Sequence, residues 1–338
     1  MTNIEKQTIA LTGQEVFDLF QQPFVEDTDF ADIIQTMSNV PPDTVKRMQF
    51  NEIERYVTRA KEYCEFSPVG GTEFKERQAQ TYYVGIDKAY CIKELQNTIW
   101  MWATRNGVDR ENINGTVVGN VVLDETQKQM DSDRKMLMWF GLRGAQPERN
   151  AANGFWSKYI PDYVGAGQIP RTTDYANKVL GVGEAIEMLE KLYLQSSSEL
   201  KESIEEGEVV ANLKYYVTRP VFDQFWADMA EKVEGSVMGE TRLEQGRRRM
   251  YYRGIEVRVA PNWERYAKKF YPTKYTAGNN ANLGILCHTE TLLFLTDLES
   301  PELKSYYDDT TEKNRVKVRY AMGAEIIYPT LCSVAYNH

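Results

Sequence analysis

Read for the spacing of its apolar positions, the chain divides into stretches of different character. Near the N-terminus Val16, Phe17, Leu19 and Phe20 make a short apolar face, and Phe30, Ile33, Ile34 and Met37 recur at three and four residues. This is the helical spacing, and it predicts a helical arm over roughly the first fifty residues. Asp27 and Asp29 are N-cap candidates, and Pro41-Pro42 interrupts the arm. Pieces this short bury little by themselves and need a surface to dock on. Residues 61–95 mix β-prone and charged positions. Val69-Gly70-Gly71-Thr72 reads as a turn, followed by Thr72 to Arg77 and by Thr81 to Val84, which predicts an extended hairpin with both faces partly polar. Such a hairpin is marginal alone, so a partner is expected, such as another subunit.

Residues 115–140 predict a long helix. Val117, Val118, Val121 and Val122 form one apolar cluster and Met136, Leu137, Trp139 and Phe140 another, with the charged run DETQKQMDSDRK between them. Its length is ~35–40 Å, its polar middle implies a largely exposed face, and Gly141 and Gly144 are placed to end it. A Pro-, Gly- and Asn-rich loop region, 145–174, follows.

The second half predicts a compact α/β unit over 175–280. Ala185, Ile186, Leu189, Leu192 and Tyr193 mark an amphipathic helix that the polar stretch Ser196 to Gly207 ends. Leu213 to Val217 reads as a short buried strand. Pro220 suits a first helical turn, where its missing N–H costs nothing. Phe222, Phe225, Trp226, Met229, Ala230 and Val233 follow at amphipathic spacing, and Gly235 closes the helix. Met250 to Ala260 returns to strand character with a bend at Gly254. The C-terminal part is mainly β: an apolar run from Leu283 to Leu295, an alternating strand from Asn314 to Tyr320, and a further strand from Ala324 to Tyr328. In the alternating strand Val316, Val318 and Tyr320 share one face, and Arg315, Lys317 and Arg319 the other.

Composition adds bounds. A length of 338 residues suggests one to three domains. A net charge of −9 speaks against a surface that grips phosphate overall, though it is compatible with tolerating packed DNA. The 21 Tyr, 13 Phe and 6 Trp favour subunit contacts as well as cores. Nothing predicts a membrane span or a secretory signal. Cys64, Cys91, Cys287 and Cys332 form no CxxC pair, which speaks for free thiols rather than a zinc site or disulfide framework.

Candidate chemistry is sparse. Of the two histidines, His288 follows Cys287 directly, but neighbours in a strand face opposite ways, and His338 is the last residue. Gly181-Val182-Gly183 precedes a helix without the third glycine of a dinucleotide loop, so a helix-start loop is the plainer reading. Arg247-Arg248-Arg249 with Tyr251 and Tyr252 has the ingredients of a single-strand nucleic-acid contact, and equally of a solvated or subunit-contact patch. Glu205-Glu206 and Asp308-Asp309 read as solvated acids. No catalytic, cofactor-binding or metal-binding residue is assigned, and no enzyme is expected.

The order of elements resembles that of the major capsid proteins of tailed bacteriophages, which share the Hong Kong ninety-seven fold. LKYYVTRPVFDQFWADMAEKVEG is similar to the family's strand, proline and amphipathic helix, and MYYRGIEVRVAPNW to the segment after it. NLGILCHTETLLFLTD resembles the next strand pair and NRVKVRYAMGAEIIYPTLCSVAY the closing segment. In the first half, the 115–140 helix with WFGLRGA resembles the spine helix, and 61–95 falls where the family keeps its extended loop.

The resemblance covers nearly the whole chain and implies an α+β fold in these parts: an N-terminal arm over 1–60, an extended hairpin loop over 61–95, a peripheral domain with the spine helix over 96–174, an axial domain over 175–280, and return strands of both domains over 281–338. It further implies a structural subunit that self-assembles as pentamers and hexamers into an icosahedral head around double-stranded DNA. The DNA would be contacted non-specifically, and portal, scaffolding and cement proteins are further partners. The location would be the virion capsid, assembled in the bacterial host cytoplasm, with no membrane and no cofactor. Phe17, Phe20, Gly70, Gly71, Phe74, Arg315, Lys317 and Arg319 are the expected inter-subunit contacts, the basic strip meeting acids such as Glu299, Glu302, Asp308 and Asp309 in the same or an adjacent subunit. The arm departs from the family in its length, and no Lys–Asn cross-linking pair is identified. Residues 1–50 are expected to stay in the mature shell, with any scaffold a separate protein. An encapsulin-like compartment shell and an α+β enzyme with a concave pocket are the competing expectations.

Overall fold

A computed structural model describes residues 9–12, 34–52 (except 39, 42 and 44), 73–90, 117–205, 212–232, 241–244, 247–297 (except 277) and 302–338 (except 309 and 312). The first half contains strands β1 (Ile9–Thr12), β2 (Ile34–Met37), β3 (Val45–Glu52), β4 (Glu73–Gln80) and β5 (Tyr82–Tyr90), then helices α1 (Val117–Phe140) and α2 (Ile160–Gly165) and strand β6 (Arg171–Thr172). Helices α3 (Glu184–Gln195), α4 (Ser198–Glu205), α5 (Arg219–Lys232) and α6 (Trp263–Phe270) follow, interleaved with β7 (Leu213–Val217), β8 (Thr241–Glu244), β9 (Arg247–Tyr252) and β10 (Ile255–Val259). The chain closes with β11 (Gly284–His288), β12 (Leu292–Thr296), β13 (Glu302–Asp308), β14 (Lys313–Ile326) and β15 (Cys332–Ala335).

The alternation seen at Val316, Val318 and Tyr320 belongs to a 14-residue strand, ~46 Å long, that organises a six-stranded sheet. One edge of β14 pairs first with β13, through 313–319, and then with β12, through 322–326; the other edge pairs with β5 through 314–322. Burial alternates along β14 up to Tyr320 and is continuous after it, because both faces are covered there. The sequence reading split this segment into two strands. Gly323 looks like a break in the pattern, but it is a site of close approach: a Cβ there would lie 2.3 Å from the Gln80 carbonyl oxygen.

The helical reading of the arm is corrected where the structure describes it. Ile34 to Met37 is a strand running parallel to β12, and Ile9 to Thr12 is a strand antiparallel to β13. Pairing with an existing sheet overrides the three-and-four spacing, and Ile34 still faces the core. Val16, Phe17, Leu19, Phe20, Phe30 and Ile33 lie outside the described residues.

A seven-stranded sheet has the order β6-β15-β11-β7-β10-β9-β8. Strand β7 is buried at every position and supplies both faces: Leu213, Tyr215 and Val217 pack under α3 and α5, and Tyr216 joins the core on the other side. Helix α3 seats Ala185, Met188, Leu189 and Leu192 on this sheet, and α5 seats Val221, Phe225 and Met229. The polar stretch after α3 is not a tail but contains α4, started by Ser197 Oγ accepting from the Leu200 N–H (3.1 Å) and held by buried Leu200. The bend at Gly254 is a two-residue hairpin turn with Arg253 and Gly254 both at positive φ (52° and 77°).

Helix α1 has 24 residues and is ~36 Å long. Its polar middle is not simply exposed. Thr126, Met130 and Arg134, four residues apart, form a buried stripe, with the Arg134 guanidinium 5.0 Å from the ring centre of Tyr320 on β14. From Met136 onward every residue to Gly141 is buried. There Trp139 packs on Trp263 (4.5 Å) and Phe155 (5.0 Å), and Trp156 packs on Trp263 (5.1 Å). The helix ends at Phe140 because the chain doubles back: a Cβ at Gly141 would lie 2.4 Å from the Ala152 carbonyl oxygen. The 145–174 region is likewise more than loop, with a wide π-helical turn over Phe155–Tyr159 leading into α2.

Candidate assembly surfaces

Among the described residues strands β3 and β4 pair only with each other, from Val45 opposite Gln80 to Glu52 opposite Glu73. They form a two-stranded ribbon ~26 Å long whose sequences, VKRMQFNE and EFKERQAQ, are mostly polar. This corrects the hairpin's register. Its first strand is 45–52, ahead of residue 61, and Thr81 to Val84 is not its second strand but the start of β5, where Tyr82 and Val84 are core residues. Phe74 sits on β4 opposite Asn51. Gly70 and Gly71 lie outside the described residues.

The base of the ribbon is anchored where it enters the sheet. Thr81 Oγ1 donates to the Pro41 carbonyl (2.7 Å), Val40 and Ala79 pack with Leu293, Leu295 and Ile327, and the Gln80 carbonyl passes over Gly323. Farther out, Arg77 reaches Gln168 (3.5 Å) and covers the Tyr163 ring.

The basic strip on β14 finds acids within the same chain. Arg315 pairs with Asp308 (2.7 Å), one of the acids expected from sequence. Arg319 instead crosses Gly85, where a Cβ would collide with its guanidinium, and pairs with Asp87 on β5 (2.6 Å). The Arg319 hydrogen bond holds the Asp87 carboxyl below its usual range, helped by Lys317 and Arg315. Lys317 sits between Asp87 and Lys304 in register. Glu302 lies opposite Arg319 on β13, while Glu299 and Asp309 are outside the described residues.

A site that sequence reasoning passed over is the C-terminal His338. Its ring stacks on Tyr271 (3.9 Å) and lies among Trp156, Tyr275 and Tyr336. Nε2 is 3.0 Å from the Trp156 carbonyl, so it carries the proton, and Nδ1, 3.1 Å away, accepts from the Tyr275 hydroxyl. Burial pushes the imidazole down to about 4, so it is neutral at physiological pH and acts as an aromatic plug. A lone terminal histidine carries no periodic signal that marks such a role.

The remaining candidates resolve simply. The N–H groups of Gly181 and Gly183 are taken by Glu184 (2.7 Å) and Asp228 (2.9 Å), so this loop is no phosphate cradle. His288 ends β11, its Nδ1 accepting from the Glu290 N–H (3.2 Å). Cys287 and Cys332 are free, buried and opposite each other on β11 and β15. Arg247 to Arg249 run along β9 against β8. Asp308 is occupied by Arg315 and by Thr310 and Thr311. Among the described residues no group of three or more His, Cys, Asp or Glu is placed to hold a metal, and no helix is long and apolar enough to cross a membrane. A cavity of about 20 Å³ between α1 and α6, lined by Ser132, Lys135, Trp139 and Trp263, has room for water rather than a substrate.

No protein-family model matches the sequence, and no curated protein matches it. Solved structures do match its fold over nearly the whole chain. A subunit of the satellite phage P4 procapsid, in a structure that includes the size determination protein Sid, aligns with a TM-score of 0.57 at 12% identity, covering 99% of this chain and 93% of that one. The capsid protein of an empty GTA particle aligns at 0.51 and 11% identity (91% and 89% covered), and a Gordonia phage Cozz chain at 0.51 and 10% (99% and 90%). At this identity the likeness is one of fold, and it extends over the arrangement of a six-stranded sheet organised by β14, a seven-stranded sheet and the long helix α1. The chain has the Hong Kong ninety-seven-type α+β capsid fold.

Proposed function

We propose that this protein is the major capsid protein of a tailed bacteriophage, a structural subunit that self-assembles as pentamers and hexamers into the icosahedral head around double-stranded DNA. The observation that carries this reading is the ribbon: among the described residues β3 and β4 have no third strand, and their sequences are mostly polar, within a fold otherwise matched over nearly its whole length by capsid subunits. A neighbouring subunit supplies the missing cover, and many modest contacts multiply over a closed lattice. The six-stranded sheet with α1 makes the peripheral domain, and the seven-stranded sheet with α3, α4 and α5 the axial domain. Residues 9–12 and 34–37 form two edges of the peripheral sheet, so this part of the arm stays in the mature shell. Phe17, Phe20, Gly70, Gly71 and Phe74 make contacts between subunits, and Lys317 joins them from a strip whose two arginines are already paired within the chain. DNA is contacted non-specifically, portal and cement proteins are further partners, and assembly takes place in the host cytoplasm.

Expression of the chain followed by negative-stain microscopy tests this. Closed shells are expected. A stable monomer at high concentration in several salts contradicts it, and shells enclosing protein cargo instead of nuclease-protected DNA point to a compartment shell.

A further inference from the structure

Glu325, near the end of β14, is 4% exposed. Its Oε1 accepts from the Tyr163 hydroxyl (2.7 Å) and from the Ile326 N–H (3.0 Å). Over the Tyr163 ring, 5.0 Å from its centre, lies the guanidinium of Arg77 on β4, at the base of the ribbon. The ionisable groups around the carboxyl are Tyr163 and Asp162 of α2, Tyr159 of the turn before it, Tyr82 of β5 and Arg77 of β4. Arg77 is the cation of the set. Two residues from Glu325, Gly323 makes room for the Gln80 carbonyl where the ribbon turns into the sheet. A buried carboxyl, the junction of ribbon and sheet and a ribbon cation therefore converge.

We infer that Glu325 is a proton-operated latch on the ribbon: ionised, it holds Arg77 and the base of β4 against α2, and protonated, it lets that base loosen. Burial pushes the carboxyl up to about 7, against the opposing pull of Tyr163, Ile326 and Arg77, so it changes charge near neutral pH. Linkage gives the direction. Arg77 eases deprotonation of Glu325, so the deprotonated form must bind Arg77 more tightly, by the same factor. Tyr163 relays the contact: its hydroxyl donates to the carboxylate and its ring carries the guanidinium. The device lies within one chain, so its test does not depend on assembly.

The test is hydrogen exchange read by mass spectrometry on the purified full chain, following peptides that cover 73–81. Protection is corrected for the intrinsic pH dependence of exchange. Protection of the wild-type ribbon base is expected to rise several-fold from acid to alkaline pH as a one-proton transition with a midpoint at about 7. Glu325→Gln, neutral and of the same shape, should stay at the low value throughout. Arg77→Gln should also lose the response. Equal wild-type protection on both sides of neutrality, or a transition that survives in Glu325→Gln, overturns the latch. Should Glu325→Gln fail to fold by circular dichroism, the half-buried Arg77 decides: a transition that persists in Arg77→Gln is equally fatal.

Discussion

Strand β7 and the ribbon strands β3 and β4 are all short segments, yet they meet the demands of a strand in opposite ways. Strand β7 has a partner on each edge and is buried at all five positions. Each ribbon strand has one partner among the described residues, and its sequence is mostly charged or polar. The first arrangement stabilises the chain from inside. The second leaves one edge of each strand without a partner among the described residues, which favours a partner from outside. The outer ribbon is therefore expected to matter less to folding than to whatever covers it.

The sharpest way to break this comparison is to damage each region in turn. Trp263→Ala removes the ring that ties α1 to the turn at Phe155–Tyr159, and should lower unfolding stability by about 3–5 kcal/mol in denaturant titrations. Gln78→Ala, on an exposed ribbon position, should change it by less than about 0.5 kcal/mol. Similar losses at the two positions would mean that the ribbon belongs to the core.

Titration sharpens the contrast next. His338 is neutral in the fold down to about pH 4, against an ordinary value of 6.5, so between these values the unfolded chain binds more protons. Stability from this group is complete above 6.5 and is lost as pH falls toward 4, by roughly 3–3.5 kcal/mol at most. Glu325 acts in the opposite sense. It is raised from 4.5 to about 7, the folded chain binds more protons in that window, and stability falls as pH rises through it. Urea midpoints against pH should therefore show a shallower acid-side loss in His338→Phe than in wild type. An unchanged profile would remove the histidine plug from the account. The smallest effect is expected on the basic strip. Arg315→Gln breaks a partly exposed pair with Asp308 and should shift unfolding by no more than about 1 kcal/mol in the same titration.

Much of this architecture was legible in the sequence wherever burial is periodic. Helix α3, strand β7, the Pro220 start of α5, the bend at Gly254 and the end of α1 at Gly141 all follow from apolar spacing and turn residues. Readings failed where a distant partner decides. Ile34 and Met37 carry helical spacing but lie in a strand because β12 is there to pair with. Val45 to Glu52 is ribbon because 73–80 lies opposite, and no local pattern reveals that register. Arg134 reads as a surface residue in a charged run, yet the Tyr320 ring receives it. At the candidate surfaces, Asp308 was among the acids expected to meet the basic strip and pairs with Arg315, whereas Asp87, far away in sequence, was not expected. Glu325 lies in an apolar stretch where its neighbours Tyr163 and Arg77 come from other elements, so nothing local marks it.

The most direct test of the central claim shortens the ribbon and leaves its base. Met48 and Arg77 face each other across β3 and β4, so residues 49–76 can be replaced by an Asn-Gly hairpin turn that keeps the Arg77 contact. The shortened chain and wild type are then compared by thermal unfolding and negative-stain microscopy. A melting temperature within a few degrees of wild type, about 1 kcal/mol or less, is expected, with no closed shells. Unfolding of the shortened chain, or normal shells built from it, would contradict the claim that the ribbon serves assembly and not the fold.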